Sequence, residues 1–379
     1  MELERSSHVR HFKHLDSIRF LAAMLIVFLH ANGSYQDWFG KPAFAVESGG
    51  AINFLSKFIT QFVQNFGIGV DIFFLLSGFL ITYILLEEKK NNGTINILFF
   101  MIRRSFRIWP LYFFIIGITP FLVVWLDVAK PEYWSNLLFI NNFRAIETGL
   151  WTYPFSHFWS ICIEEHFYLI WPFVIAFTPK KYLLSFFYFF IASSILFRLY
   201  FSFVTASSYS WIYLHTISRI DVLVMGGIVA YYYSEKSFEF KLSNAAKFLL
   251  FGALFTSLFI EQYSNWETQF MAGFKKYFYM GAIGLLMLDY NFNPLLKLRL
   301  SSSKLVNYLG KVSYGIYMYH NVLSVIIVKK IMYSFGFNSA PLFFALMISL
   351  SLIIPILSYE LFEKHFLKIG NKFRVNRSE

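Results

Sequence analysis

Two kinds of residue are scarce in this sequence of 379 residues: cysteine and charged residues. Cys162 is the single cysteine, which excludes an internal disulfide and a metal site made of several thiolates. Charged residues account for 15% of the chain, whereas soluble domains carry about 25%. No polar segment is long enough to fold on its own. These shortages exclude a disulfide-rich secreted protein and a separate soluble domain.

Apolar and aromatic residues are abundant instead. They make up 57% and 22% of the chain, and the mean hydropathy is +0.53. This composition indicates a polytopic membrane protein, an all-α transmembrane helical bundle of about ten spans. The predicted spans are residues 16–31, 67–86, 108–126, 157–177, 182–203, 216–233, 247–261, 277–290, 312–328 and 340–361.

Basic residues are distributed unevenly between these spans. With the N-terminus inside, most of the 33 lysine and arginine residues fall on cytoplasmic segments. We therefore expect a single domain, 1–379, with a cytoplasmic N-terminal segment, 1–15, and a basic cytoplasmic tail, 362–379. The net charge of +11 then reflects topology and contact with the lipid bilayer, so no nucleic-acid partner is expected.

The first apolar stretch carries an arginine and a histidine eleven residues apart, Arg19 and His30. Eleven helical steps of about 100° nearly complete three turns, so both side chains point the same way, separated by roughly 16 Å along the axis. Such groups are costly in hydrocarbon unless they line a polar cavity or find partners. The alternative is that Arg19 snorkels at the cytoplasmic end while His30 caps the other end of the helix.

A polar stripe opens the fourth span. Its members step by three, four and four residues: His157, Ser160, Glu164 and Tyr168. Glu164 is followed by Glu165, and two adjacent carboxylates inside a membrane boundary cannot both ionise cheaply. We expect one of them to be protonated or to pair with Arg19 or Arg219. The alternative is an interfacial turn with solvated glutamates.

Three arginines precede the third span. Arg103 and Arg107 are four residues apart on one helical face, and Arg104 lies beside them. Arginine guanidinium groups match phosphate oxygens in bidentate geometry. The positive-inside rule explains basic residues at this place without a ligand, so both explanations stay open.

Two further spans carry polar residues. Asp71 stands at the outer start of the second span and needs a partner, and Ser77 with Gly78 allows a helix or a ligand to approach closely. In the sixth span, Arg219 and Asp221 are two residues apart and should pair with different helices. A last polar stripe, in the ninth span, consists of Ser313, Tyr317 and His320.

Taken in order along the chain, these motifs resemble those of the acyltransferase-3 family of integral membrane O-acyltransferases. The resemblance extends from Leu15 to about Glu363, nearly the whole chain. Six elements match in order: Arg19 with His30, Phe73–Phe79, Arg103–Pro110, Trp159–Glu164, Arg219–Gly227 and Gly310–His320. Each element alone is weak, but six in the same order are specific.

This resemblance implies a bundle of about ten helices that uses acyl-CoA, most simply acetyl-CoA, from the cytoplasmic side as donor substrate, with no bound cofactor and no metal. The implied acceptor is a hydroxyl of an envelope carbohydrate or glycolipid such as a polysaccharide or lipopolysaccharide. The implied location is the bacterial inner membrane. Many members carry an additional SGNH-type hydrolase domain, and this chain resembles the members without it.

The resemblance also suggests residue roles. His30 would act as general base on the acceptor hydroxyl or as an acyl relay, and the sequence leaves both open. Arg19 would position the donor or offset carboxylate charge, and Glu164 would orient an imidazole. The implied substrate-binding residues, with the three arginines at the CoA phosphates, are Arg103, Arg104, Arg107, Asp71, Ser77, Ser160 and Arg219.

Other functions fit the same residues. Intramembrane His, Glu and Arg also occur in transporters, here of an acyl donor or a proton, although the sequence has no inverted repeat. A non-catalytic scaffold for envelope biosynthesis is a third hypothesis. A fourth keeps acyl transfer but replaces the carbohydrate with a small molecule or a lipid. The oligomeric state is left open.

Overall fold

The computed structural model describes residues 12–41, 43–44, 51–151, 153–204, 208–235, 240–263, 269–292 and 303–374. Most of the predicted N-terminal segment, 1–15, and the last five residues of the predicted tail, 362–379, lie outside the described residues.

All regular elements in the described part of the chain are helical, which confirms the all-α prediction. The α-helices are α1 Lys13–Phe39, α2 Ala51–Gln64, α3 Ile68–Asn92, α4 Ile97–Leu126, α5 Trp134–Leu137, α6 Asn141–Thr148, α7 Phe158–Phe177, α8 Lys180–Val204, α9 Ser208–Leu214, α10 Thr216–Glu235, α11 Asn244–Tyr263, α12 Gln269–Phe292, α13 Lys304–Ile326, α14 Ala340–Ser358 and α15 Lys364–Asn371. Short 3₁₀ or π turns cover Asn65–Gly67, Ile327–Met332 and Tyr359–Glu363.

Within the described residues, seven helical segments are long and apolar enough to cross a membrane. They are Leu15–Phe39, Phe58–Asn92, Ile97–Leu126, Phe158–Phe177, Lys180–Val204, Tyr209–Glu235 and Ala340–Asn371. The total of about ten spans and the cytoplasmic termini stay predictions. Helix α13 covers most of the predicted span 312–328 but is not among the seven, because many of its residues are polar and face the interior of the bundle.

Helices α3 and α10 cross at very short distance because glycines lie at the contact. A Cβ atom at Gly78 would stand 1.8 Å from the carbonyl oxygen of Leu223, and one at Gly226 would stand 2.1 Å from that of Leu75. Small residues are what allow membrane helices to approach this closely. Gly78 therefore allows the close helix packing that the sequence suggested for the Ser77–Gly78 pair.

Helices α1 and α13 run parallel and in constant register. Three side-chain contacts join residues that are 290 positions apart in each case: Ser17 with Asn307, His30 with His320, and Ser34 with Ser324. Near the start of this interface, a Cβ atom at Gly310 would stand 2.0 Å from the carbonyl oxygen of Asp16. This register places the His30 side chain against the last polar stripe predicted from the sequence.

One end of the bundle collects basic side chains and is called the basic end here. Lys89, at the end of α3, donates hydrogen bonds at 2.7–3.0 Å to the carbonyl oxygens of Ile175 and Ala176, in the last turn of α7, and of Thr178, which follows it. A cation at this position complements the partial negative charge of the helix terminus. Lys180, at the start of α8, pairs with Glu235 at the end of α10. The ends of four helices therefore meet at the basic end.

Candidate active site

A polar cavity of about 70 Å³ lies inside the bundle, between α1, α3, α4, α7 and α13. Its polar lining consists of Arg19, Ser77, Arg104, Arg107, Ser160, Glu164, Tyr168, Ser313, Tyr314 and Tyr317. The apolar part of the wall includes Phe73, Phe74, Leu80 and Ile81. Six of the ten site residues predicted from the sequence therefore surround one space, although they come from four helices.

Glu164 is held in the cavity by two neutral donors. Ser77 Oγ donates a hydrogen bond to Oε1 at 2.9 Å, and the Tyr168 hydroxyl donates to Oε2 at 2.7 Å. The cation that the sequence suggested as a partner, Arg19, lines the same cavity but forms its ion pair with Asp16, at 3.7 Å. The other suggested cation, Arg219, is engaged elsewhere. Glu164 therefore lies among hydroxyl groups and does not contact an imidazole.

The three arginines of α4 have different surroundings. The Arg104 guanidinium lies over the rings of Phe100 and Tyr168, 5.6 and 5.9 Å from their centroids. Arg104 and Arg107 both line the cavity, and neither forms an ion pair with a carboxylate among the residues that the structure describes. Arg103 does not line the cavity and has partners at the basic end. The cavity thus holds two of the three predicted phosphate ligands.

Arg103 contacts two groups at the basic end. Its Nη1 donates to the carbonyl oxygen of Phe373 at 2.6 Å, and its Nη2 contacts Glu88 Oε2 at 3.3 Å. Phe373 follows α15, so this arginine ties the start of α4 to the end of the described chain. The sequence placed Arg103 and Arg107 on one helical face. The two arginines that line the cavity are instead Arg104 and Arg107, which are three residues apart.

Asp71 and Arg219 pair with each other and do not line the cavity. Arg219 Nη2 donates to Asp71 Oδ1 at 2.6 Å, and both side chains are buried. The guanidinium also lies over the rings of Trp159 and Tyr213. The partner that Asp71 required is thus found, and the pair occupies the end of α3 and α10 opposite the basic end.

Asp221 points to other helices, as its spacing from Arg219 predicted. Its carboxylate contacts Arg198 of α8 at 2.8 Å and Lys276 of α12 at 2.9 Å, and it also accepts a hydrogen bond from the hydroxyl of Tyr277. These groups form a buried ionic network between three helices. Its position between packed helices explains why charged residues occur in apolar segments.

His30 does not line the cavity but forms a hydrogen-bonded pair with a second histidine. Its Nδ1 lies 2.6 Å from Nε2 of His320, and the ring planes differ by 4°. A third ring, that of His157, lies 4.7 Å from the His320 ring, centroid to centroid. The outer half of α1 therefore faces a cluster of three imidazoles, which we call the histidine cluster.

Ser160 and Tyr317 lie between the cavity and the histidine cluster. Their hydroxyl oxygens are 2.6 Å apart, and both line the cavity. The Tyr317 hydroxyl also donates to the carbonyl oxygen of His157 at 2.9 Å. The two parts of the predicted site are thus adjacent, with a single layer of hydroxyl groups between them.

Some residues of this site received no role from the sequence. Tyr168, Ser313, Tyr317 and His320 were visible as members of polar stripes, so helical spacing was the signal that marked them. Tyr314 lay within the Gly310–His320 motif but not on its polar stripe, and its hydroxyl donates to the carbonyl oxygen of Ile108 at 2.9 Å at the cavity wall. Within the described residues, no group of three or more His, Cys, Asp or Glu side chains is arranged to hold a metal ion.

Comparison with known proteins places this geometry in context. The sequence model of a family described as an acyltransferase domain matches residues 12–360. A protein of Staphylococcus aureus (strain COL), provisionally named an O-acetyltransferase, is 25% identical over 394 residues, covering 96% of this chain and 58% of that protein. The O-acetyltransferase OatA of Staphylococcus aureus (strain NCTC 8325 / PS 47) is 29% identical over 251 residues, which is 60% of this chain and 36% of OatA.

The chain thus spans little more than half the length of the first of these relatives. No solved structure matches the chain.

Proposed function

The chain belongs to this acyltransferase family, and from that membership we propose that it transfers an acyl group from acyl-CoA to a hydroxyl of an envelope carbohydrate. It is a membrane O-acyltransferase. The acetyl group, the carbohydrate or glycolipid acceptor and the bacterial inner membrane belong to the proposal. The names of the two relatives support the acetyl group.

One observation carries the proposal: the cavity contains arginines without a described carboxylate partner. Arg104 and Arg107 stand in an apolar bundle, where an unpaired guanidinium is costly. Their forked donors suit phosphate oxygens, which would supply the missing negative charge. A CoA ester that entered from the basic end would place its phosphates at these two residues.

The size and lining of the cavity support a donor that enters by its acyl end. A volume of about 70 Å³ leaves room for a handful of water molecules, which is too little for an adenosine group. The adenosine would therefore stay at the basic end. Arg19, on the same face of α1 as His30, would hold the donor on the way to the histidine cluster.

His30 would supply the proton transfer. As general base, its free ring nitrogen takes the proton of the acceptor hydroxyl while the hydroxyl oxygen bonds to the thioester carbonyl carbon. The carbon–sulfur bond then breaks, and the CoA thiolate receives the proton. In the relay alternative, the same nitrogen carries the acyl group before the hydroxyl attacks. Both schemes need that nitrogen unprotonated at the start.

Polar groups beyond His30 support a hydroxylated acceptor. Ser34 and Asp37 follow His30 on the same face of α1 at helical spacing. The Tyr153 hydroxyl reaches both of them, at 3.3 Å from Ser34 Oγ and 3.4 Å from Asp37 Oδ2. Burial raises the pKa of Tyr153 above its ordinary value, so the phenol is a neutral hydrogen-bond donor. Sugar hydroxyls bind to such groups.

The test is mass spectrometry of surface glycans and glycolipids from cells that contain the intact protein, the His30→Ala variant or no protein. We expect an added acyl mass, most simply acetyl, that requires His30. His365→Ala is a matched control, because His365 is an exposed histidine on α15. Membrane levels of all variants are measured in parallel.

Each outcome has a distinct meaning. An increment that persists with Ala at position 30 would remove His30 from the chemistry. If no glycan or glycolipid gained mass although the protein was present in the membrane, the carbohydrate acceptor would be rejected, and a small-molecule acceptor or transport would replace it.

A further inference from the structure

The proton positions in the His30–His320 pair follow from a third group, the carbonyl oxygen of Tyr317. His320 Nδ1 lies 2.5 Å from this oxygen. A carbonyl oxygen can only accept a hydrogen bond, so Nδ1 of His320 must carry the proton. In the neutral imidazole, Nε2 of His320 therefore has the lone pair.

This assignment determines the tautomer of His30. Since His320 Nε2 accepts, Nδ1 of His30 must donate across the 2.6 Å that separates the two atoms. The proton of neutral His30 is then on Nδ1, and Nε2 has the lone pair. That is the state in which an imidazole can take a proton from a hydroxyl group.

The relative orientation of the two rings supports a real N–H···N hydrogen bond. The planes are parallel within 4°, with centroids 4.8 Å apart. In a face-to-face stack, the nearest ring atoms would be about 3.5 Å apart, the van der Waals separation. The 2.6 Å between the nitrogens is shorter, so the rings meet edge to edge, as a hydrogen bond between ring nitrogens requires.

His320 has little freedom to rotate. It is fully buried, with its Nδ1 anchored to its own helix and the His157 ring against it at 62°. One turn farther along the same interface, Ser34 and Ser324 keep α1 and α13 in register. His30 is only half-buried, so its second nitrogen is the accessible end of the pair.

We propose that His320 is a positioning residue for acyl transfer: it fixes His30 in the tautomer whose Nε2 is free to react. The proposal rests on the proposed function and adds a residue to it. It also assigns the orienting role to His320 rather than to Glu164, whose partners are Ser77 and Tyr168.

The proton balance of the reaction is unchanged by this assignment. His30 Nε2 takes the hydroxyl proton and the ring becomes an imidazolium, while Nδ1 keeps its proton and its bond to His320. That bond becomes charge-assisted, and therefore stronger, as the positive charge develops. His320 neither gains nor loses a proton, and the imidazolium returns its Nε2 proton to the CoA thiolate.

The first measurement follows the release of CoA thiol from acetyl-CoA in inverted membrane vesicles that retain the natural acceptor. Replacing His320 by Ala removes the acceptor of the His30 proton, and we expect kcat to fall about 100-fold, as losses of orienting groups do, with KM for acetyl-CoA unchanged. His320→Gln restores an acceptor oxygen, and its kcat should be about tenfold higher than that of His320→Ala. His365→Ala, which removes an exposed histidine on α15 far from this interface, should retain wild-type kcat.

A second measurement does not depend on activity. In protein labelled with ¹⁵N-histidine, the His30 signals are identified by their absence in His30→Ala. We expect a protonated Nδ1 and an unprotonated Nε2 in the wild type, and a mixture of tautomers in His320→Ala.

The outcomes separate the two proposals. A wild-type kcat in His320→Ala, a Gln variant no better than Ala, or a wild-type His30 protonated on Nε2 would overturn the positioning role. If the wild type released no thiol while His30 had the expected tautomer, the proposed acyl transfer would fail and the structural assignment would stand.

Discussion

At the scale of single residues, the cavity differs from its surroundings in how its charges are balanced. Asp71 with Arg219 and Asp221 with Arg198 are buried pairs of opposite charge. Arg104 and Arg107 have no such counterpart among the described residues. These two buried aspartates thus have cationic partners within the chain, whereas the partner of the two cavity arginines would, under the proposed function, be the phosphates of the donor.

We expect Arg104→Ala to raise KM for acetyl-CoA tenfold or more, because a charge-assisted hydrogen bond contributes about 1.5–3 kcal/mol. The KM for S-acetyl-pantetheine, which lacks the phosphates, should be nearly unchanged. Lys311→Ala is the control, since it removes one positive charge from an exposed position on α13. Steady-state thiol release provides both values. Equal effects on the two donors would mean that Arg104 does not bind phosphate.

The Asp71–Arg219 pair calls for a different test, because it is buried and lies outside the cavity. Asp71→Ala leaves a buried guanidinium unpaired and should lower the free energy of unfolding by about 3–5 kcal/mol. The double variant Asp71→Ala with Arg219→Met should recover much of that loss. Thermal unfolding in detergent measures the wild type, Asp71→Ala, Arg219→Met and the double variant. If the double variant were as unstable as the sum of both single variants, the pair would contribute nothing through its mutual attraction.

Sequence reasoning at this scale identified residues but not their partners. Spacing placed Arg19 and His30 on one face, and six predicted residues surround the cavity. It could not find His320 as the partner of His30, because the contact depends on which helix packs against α1, 290 residues away. It grouped Arg103 with Arg107 for the same reason: the position of α15, which holds Arg103, is a tertiary property.

At the scale of helices, glycine controls the closest contact of the bundle. We expect Gly78→Ala to destabilise the protein by about 1–3 kcal/mol or more, because its methyl group meets the backbone of Leu223, which cannot yield like a side chain. Gly117→Ala, in α4, has nothing within 4 Å of the new atom and should be neutral or slightly stabilising. Fluorescence-detected size exclusion after heating compares the two. Equal stability would show that α3 and α10 are not in this contact in the membrane.

Helix α13 begins before its predicted span and carries polar residues on its buried face. The sequence predicted a span at 312–328, and the structure has one helix from Lys304 to Ile326. Its buried face carries Ser313, His320 and Asn321, and the last two form hydrogen bonds inside the protein. Local hydropathy cannot distinguish such a helix from a surface segment, because the compensating groups belong to other parts of the chain.

At the scale of the whole molecule, the orientation in the membrane can be tested with the native cysteine content. Cys162 is fully buried, so it should contribute little labelling. A cysteine at Leu150 should react with a membrane-impermeant maleimide in intact cells, because we expect that segment outside. A cysteine at Thr94, in the exposed turn between α3 and α4, should react only after the membrane is opened. The reverse pattern would invert the topology and place the cavity arginines on the wrong side for cytoplasmic CoA.

The all-α architecture and the acyltransferase family were accessible from the sequence, since they depend on local composition and on the order of short motifs. Composition and spacing did not determine the number of membrane spans. Within the described residues, α11 contributes a shorter apolar segment, Asn244–Thr256, and α12 and α13 are not among the seven candidate spans.

All the contacts between the parallel helices α1 and α13 depend on one common register. Gly310 touches the backbone of Asp16, and His320 lies ten residues farther along, about 15 Å away. If one helix slid along the other by one residue, every contacting pair would be displaced by about 1.5 Å. The contacts of Ser17, His30 and Ser34 would then all be lost together. Anything that wedges the helices apart at the glycine therefore disengages the imidazole pair at a distance, without touching either ring.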